Sequence, residues 1–181
     1  MSRENKARYA ILGILSSGHA SGYDIKKNME KSTNHFWGES DSSIYPALKK
    51  LYEDKCVTCK IANEDSGKPK KVYAITKRGQ LELEIWLQQE PERSKRRNEL
   101  LLKIFFGWNV PSSVCIKHIQ AMKLKCEQAE SFYQTFYKKK AERPKNRKEI
   151  HQLLTLRNGI LLNQATIKWC DEALEALHNE K

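Results

Sequence analysis

Five cysteines, five histidines and four tryptophans are the side chains in this 181-residue sequence with the widest chemical scope. Cys56-x-x-Cys59 has half of a zinc-site spacing. Residues three apart on a strand point to opposite faces, however, and no second such pair exists, so strand packing is the reading and no metal is assigned. His19, His35, His118, His151 and His178 are scattered, without His-x-x-x-His spacing. There is no Gly-rich phosphate loop, no nucleophile elbow and no converging acid pair, so neither an enzyme nor a cofactor is expected. An odd cysteine count without framework spacing suits a reducing cytoplasm.

What remains is charge. Lys and Arg number 33 against 22 Asp and Glu, a formal +11, which favours polyanionic partners, nucleic acid before an acidic membrane surface. The excess is uneven: residues 1–90 carry 15 basic and 12 acidic side chains, residues 91–181 carry 18 and 10. Placement must therefore carry any nucleic-acid argument. The longest apolar stretches, around Ala10–Leu15 and Leu100–Phe106, are broken by Gly13 and Lys103, so no membrane span is expected. The first residues lead into a short amphipathic segment with no signal-peptide pattern, and a cytoplasmic location is expected.

The elements that would position those charges follow from spacing. A first helix covers about Lys6–Ser16, with Gly18 placed to end it. Ser21 caps a second helix, with Asp24 at the third position of a capping box. A third begins near Asp41-Ser42-Ser43, with Pro46 confined to about its first turn and Ile44, Leu48 and Leu51 as its inward stripe. Cys56–Ala62 and Lys70–Thr76 read as strands around a loop of turn-formers, and Thr76 caps a fourth helix reaching Gln89. Pro91 and the charged cluster around it mark a boundary. Beyond it, Arg97–Phe106 reads as a short apolar helix closed by Gly107, then two long helices open at Pro111-Ser112-Ser113 and near Asn146. Cys115, Ile119, Met122, Cys126, Ala129, Tyr133 and Phe136 form one heptad-like seam. Leu153, Leu156, Ile160, Asn163, Ile167, Cys170, Leu174 and Leu177 form the other. The fold class expected is mainly α: a winged helix-turn-helix DNA-binding domain over 1–90, with a small β-hairpin wing, and a helical dimerisation domain over 91–181.

The strings YAILGIL at Tyr9–Leu15, SGYDI at Ser21–Ile25 and FW at Phe36-Trp37 precede SSIYPALKKLYEDK at Ser42–Lys55. KKVYAITKRG follows at Lys70–Gly79, and RNELLLKIFFG at Arg97–Gly107. In this order and spacing they resemble the PadR family of bacterial transcriptional regulators, in its longer branch with a C-terminal helical dimerisation domain. The resemblance implies a dimeric regulator, usually a repressor, that binds a palindromic DNA operator and is released by a small molecule. Family members control phenolic-acid detoxification and drug efflux.

The residues support a DNA-binding face independently. With Ile44, Leu48 and Leu51 turned inward, Ser42, Ser43, Tyr45, Lys49 and Lys50 fall on the opposite side of the third helix, where hydroxyls suit base edges and lysines suit the backbone. A merely capped and solvated helix is the plain alternative. The face lacks Arg, Asn and Gln, so DNA shape and the wing carry part of the reading. The candidate DNA-binding set is Ser21, Tyr23, Ser42, Ser43, Tyr45, Pro46, Lys49 and Lys50, with Lys68, Lys70 and Lys71 of the wing. Leu153, Leu156, Ile160, Asn163, Ile167 and Leu174 are the candidate dimerisation residues, because Leu154, Leu161 and Leu162 widen the apolar face beyond what one hairpin partner needs; a monomeric hairpin is the alternative. Trp37 and Trp169 are candidates for an aromatic effector pocket. Lys138–Lys148, with seven basic residues in eleven, forms the turn between the long helices. It supports a rival reading: a helical interaction protein whose basic tip binds RNA or an acidic protein.

Overall fold

Caps and apolar spacing set the N-terminal helices. In the computed structural model, which describes residues 3–33, 36–62, 69–92, 97–142 and 144–180, α1 spans Arg3–Leu15, α2 Gly22–Ser32 and α3 Asp41–Glu53. Gly18 turns the chain after α1 at φ 146°, a conformation that L side chains rarely adopt. The capping box expected at α2 is present. The Ser21 hydroxyl accepts the Asp24 N–H at 3.1 Å, and the Ser21 N–H donates to the Asp24 carboxylate at 3.2 Å. Pro46 sits at the sixth residue of α3, two positions past the first turn, so the Ser42 carbonyl lacks its helical i+4 donor.

α3 ends in a left-handed residue, Lys55, at φ 59°. The Cys56 N–H donates to the Leu51 carbonyl at 2.9 Å and the Lys55 N–H to that of Tyr52 at 3.1 Å, the pairing of a Schellman cap. A two-residue strand unforeseen from sequence, β1 (Ala20–Ser21), joins β2 (Val57–Ala62) and β3 (Lys70–Ile75) in an antiparallel sheet of order β1-β3-β2. Two residues are too short for alternation to be visible, which is why β1 escaped the reading.

α4 (Lys77–Gln88) starts from Thr76, whose hydroxyl accepts the Gly79 N–H. It returns to α1, where Trp86 stacks on Tyr9 with ring centroids 4.5 Å apart. Arg8 of α1 ties α4 to the end of α3, with Nε 2.6 Å from Glu82 and Nη1 3.2 Å from Asp54. Ile11, Leu12, Leu15, Ile25, Ile44, Leu48 and Leu51 fill the core that these elements share. This is a winged helix-turn-helix, as the order of elements implied.

The chain divides into two units, Met1–Glu92 and Arg93–Lys181. In the second, α5 (Glu99–Phe105), a 3-10 turn (Gly107–Asn109), α6 (Ser112–Ala141) and α7 (Arg147–His178) follow in order. α6 and α7 form an antiparallel hairpin whose register is fixed by three cross-contacts. Lys123 pairs with Asp171, the Gln164 amide donates to Glu130 at 2.6 Å, and Arg157 lies over the Tyr137 ring.

The hairpin sets the candidate dimerisation residues partly against α6 of the same chain. Ile160 has 0% exposure within one chain, and Leu153, Leu156, Asn163, Ile167 and Leu174 are half-buried beside it. The two seams zip against each other because both are apolar at the same repeat and the turn brings them face to face. α7 leaves Ile150, Leu154, Leu161 and Leu162 exposed beside that seam.

Candidate nucleic-acid interface

The exposed side of α3 is built from its two ends inward. At its start, the Trp37 indole N–H donates to Glu39 at 2.8 Å, and the Ser43 hydroxyl donates to the other Glu39 oxygen at 2.6 Å. Ser43 also accepts the Ser40 N–H at 3.2 Å. From α2, Lys26 pairs with Asp41 at 2.7 Å, and that hydrogen bond raises the Lys26 pKa. These contacts fix the helix N-terminus relative to α2.

Between them lies Tyr45, 51% exposed, its ring against the first residue of α2. A Cβ at Gly22 would stand 2.7 Å from Tyr45 Cε1, so only glycine lets the ring occupy this place. Ser42, Pro46, Lys49 and Lys50 are exposed on the same helix. Lys50 is drawn toward Asp54 at 3.4 Å and Glu53 at 3.9 Å, whereas no ion pair holds Lys49 among the described residues. Tyr23 of α2 is 61% exposed, with the Lys27 ammonium 5.8 Å from its ring.

The wing is anchored to the same face. Lys70 of β3 pairs with Asp24 at 2.9 Å. The Ser21 hydroxyl, and after it Lys70, holds the Asp24 carboxyl at about 2. The strand register puts Lys70 with Lys60 on one side of the hairpin and Lys71 with Ile61 on the other. Lys71 and Lys60 are exposed. Lys68 lies outside the described residues.

Three members of the sequence-derived set, Ser21, Ser43 and Trp37, have hydrogen-bond partners inside the fold. Ser21 is 3% exposed and its hydroxyl is shared with Asp24, so it caps α2. Ser43 is half-buried and bonded to Glu39 and Ser40, so it shapes the start of α3. Trp37 spends its indole N–H on Glu39 and packs against the core, a positioning role; Trp169 is half-buried on α7. Sequence reasoning in turn missed Gly22, Lys26 and Lys60. Gly22 carried a signal only in its motif, because close approach between two helices has no periodicity.

Tyr23, Ser42, Tyr45, Pro46, Lys49, Lys50 and Lys71 thus stand exposed on α2, α3 and a basic wing, the arrangement of a winged-helix regulator of transcription. The PadR-like transcriptional regulator family model matches residues 11–85, and the virulence activator alpha C-terminal model matches residues 96–178. By these two matches the chain is similar, unit by unit, to transcriptional regulators of the PadR type.

The negative transcriptional regulator PadR of Bacillus subtilis is 37% identical over 100 residues, which span 55% of this chain and 55% of that protein. Its structure in complex with operator DNA superposes with a TM-score of 0.83 at 27% identity, covering 94% of this chain and 98% of that one. Its complex with p-coumaric acid gives 0.76 at 26% identity, covering 99% of each. The Vibrio cholerae virulence activator AphA gives 0.77 at 28% identity, covering 95% and 98%. Among the described residues no helix is long and apolar enough to cross a membrane.

Proposed function

We propose that this regulator is a homodimeric repressor that binds a palindromic operator and is released by a small aromatic effector. Each protomer places α3 in the major groove of one half-site, and the lysines of the wing meet the flanking phosphates. The observation that carries this reading is the paired presentation of Tyr45 and Lys49, exposed on the side of α3 opposite its buried stripe. Tyr45 lays its ring in the space that Gly22 leaves, and Lys49 is left without an acidic partner among the described residues. A tyrosine offers one hydroxyl and a ring for a thymine methyl, and a lysine offers charge without direction. Base reading is therefore sparse and DNA shape contributes.

The negative role rests on Bacillus subtilis PadR, and the effector class on its p-coumaric acid complex. The dimer rests on the exposed ridge Ile150, Leu154 and Leu161, too apolar for a face meant only for water.

Binding of fluorescently labelled duplexes tests the interface. Lys49→Ala is expected to weaken operator and random DNA alike and to lower the salt slope by about one unit. Tyr45→Ala is expected to weaken operator by about tenfold more than random DNA. Normal operator binding by both variants removes α3 as the reading element.

The rival is an interaction protein that works through the hairpin tip, and exposed Lys138, Lys140, Lys145, Arg147 and Lys148 favour it. Replacing these five with Gln separates the readings. Loss of all nucleic-acid binding with α3 intact supports the tip; retained operator binding supports α3.

A further inference from the structure

The three contacts that set the α6–α7 hairpin recur at seven-residue steps: Lys123 with Asp171, Glu130 with Gln164 and Tyr137 with Arg157. That register fixes which seam residues share a layer. Cys170, next to Asp171, falls opposite the step from Met122 to Cys126, so one layer of the hairpin holds three sulfurs. The Cys126 thiol points at the Met122 thioether, with Sγ 3.9 Å from Sδ. Burial first, and then the neighbouring Cys126, push the Cys170 thiol up, while Lys123 acts in the opposite sense. Burial likewise raises Cys126.

Cysteine packs well as a small hydrophobe, and the layers on either side use Ile119, Ile160 and Leu174 for that purpose. Packing does not call for two cysteines and a methionine in a single layer. Their chemistry is selective: thiolates and thioethers prefer soft cations such as Cu(I). Metal–sulfur bonds of about 2.3 Å place ligand sulfurs in a trigonal plane about 4 Å apart, close to the separation of Cys126 and Met122. Among the described residues no three His, Cys, Asp or Glu side chains converge, so a zinc-type ligand set has no counterpart here. Cys170 is sealed at 0% exposure, whereas Cys126 keeps 8% and gives the layer its opening to solvent.

We propose that Met122, Cys126 and Cys170 form a three-sulfur site for one Cu(I) ion across the α6–α7 hairpin. The ion enters as Cu(I) and stays Cu(I). Two Cu–thiolate bonds and one Cu–thioether bond form, and the two thiol protons pass to solvent. The site lies wholly within the second unit and is independent of the DNA reading above.

Anaerobic titration of the reduced full chain with Cu(I) held by the coloured chelator bicinchoninate tests the site. The protein is expected to withdraw one equivalent of Cu(I) per chain, with three sulfur neighbours at about 2.3 Å in X-ray absorption. Cys126→Ala and Cys170→Ala are each expected to weaken Cu(I) binding by at least about a hundredfold, and the volume-conserving Met122→Leu by about tenfold. Cys59→Ala removes the one cysteine that is not buried, and is expected to leave uptake unchanged. Circular dichroism establishes that each variant is folded, and Cu(I) is expected to raise the melting temperature of the unaltered protein but not of Cys170→Ala.

The site is overturned if the chelator keeps all the Cu(I), or if folded Cys126→Ala and Cys170→Ala still withdraw one equivalent. It is also overturned if Met122→Leu leaves both affinity and sulfur coordination unchanged, because the thioether is then no ligand.

Discussion

Gly22 and Tyr45 show how much of the interface depends on single atoms. Gly22→Ala inserts a methyl 2.7 Å from the Tyr45 ring, which must move. Operator affinity is expected to fall by about tenfold, while in a Tyr45→Ala background the same change should cost almost nothing; this non-additivity is measured in a double-mutant cycle. Asp24 is the second pivot, bonded to Ser21 and to Lys70. Its pKa is held at about 2, below the ordinary 3.8, so the carboxylate stabilises the fold above the ordinary value, and that contribution is lost as pH falls from about 4 to 2. With 41% of the side chain exposed, solvent screening reduces the contribution to about 1 kcal/mol. Asp24→Asn should therefore lower stability by about that amount at pH 7 and by little at pH 2, as denaturant titrations at the two pH values will show. Lys55 offers the opposite case. At φ 59° it carries left-handed strain, and Lys55→Gly should raise stability by up to about 1 kcal/mol, read as a higher melting temperature. A loss on that substitution contradicts the strained cap.

At the scale of elements, the order of helices and strands was legible because each has a local cause. Ser21, Thr76, Asn98 and Asn146 each accept a hydrogen bond from a backbone N–H in the first turn of their helix, and such residues announce themselves in sequence. The inward stripe of α3 was equally plain, since Ile44, Leu48 and Leu51 recur at helical spacing and are all buried. What sequence could not supply was the partner of each face. The α7 seam has the heptad repeat of a coiled coil whether it meets α6 of its own chain or a second copy, and periodicity does not distinguish them. Ser21 and Ser43 carry a related ambiguity, because the hydroxyl that suits a phosphate also suits a helix cap. The hairpin register gives a test. Ile160→Ala should destabilise the second unit by about 2–5 kcal/mol, as expected for a sealed core position. Leu154→Lys with Leu161→Lys, on the exposed ridge, should leave the melting profile of the protomer intact and shift the mass from dimer to monomer in light scattering. A dimer that survives both lysines places the interface elsewhere.

At the scale of the whole molecule, a sparse reading face and a small number of lysines have a consequence for specificity. In the proposed complex, one half-site read by Tyr45, Ser42 and two lysines would offer few base contacts, so a single protomer would discriminate weakly between sequences. Two half-sites held by one dimer multiply that discrimination and require a fixed spacing of about one helical turn. Dimerisation, half-site symmetry and the exposed face of α3 therefore stand or fall together. Selection of duplexes from a random library by the purified protein, followed by sequencing, tests them at once. The enriched DNA should carry a two-fold symmetric motif with half-site centres about 34 Å apart, and Tyr45→Ala should abolish the enrichment while leaving salt-sensitive binding to bulk DNA. A motif without two-fold symmetry, or one that survives Tyr45→Ala unchanged, contradicts the account.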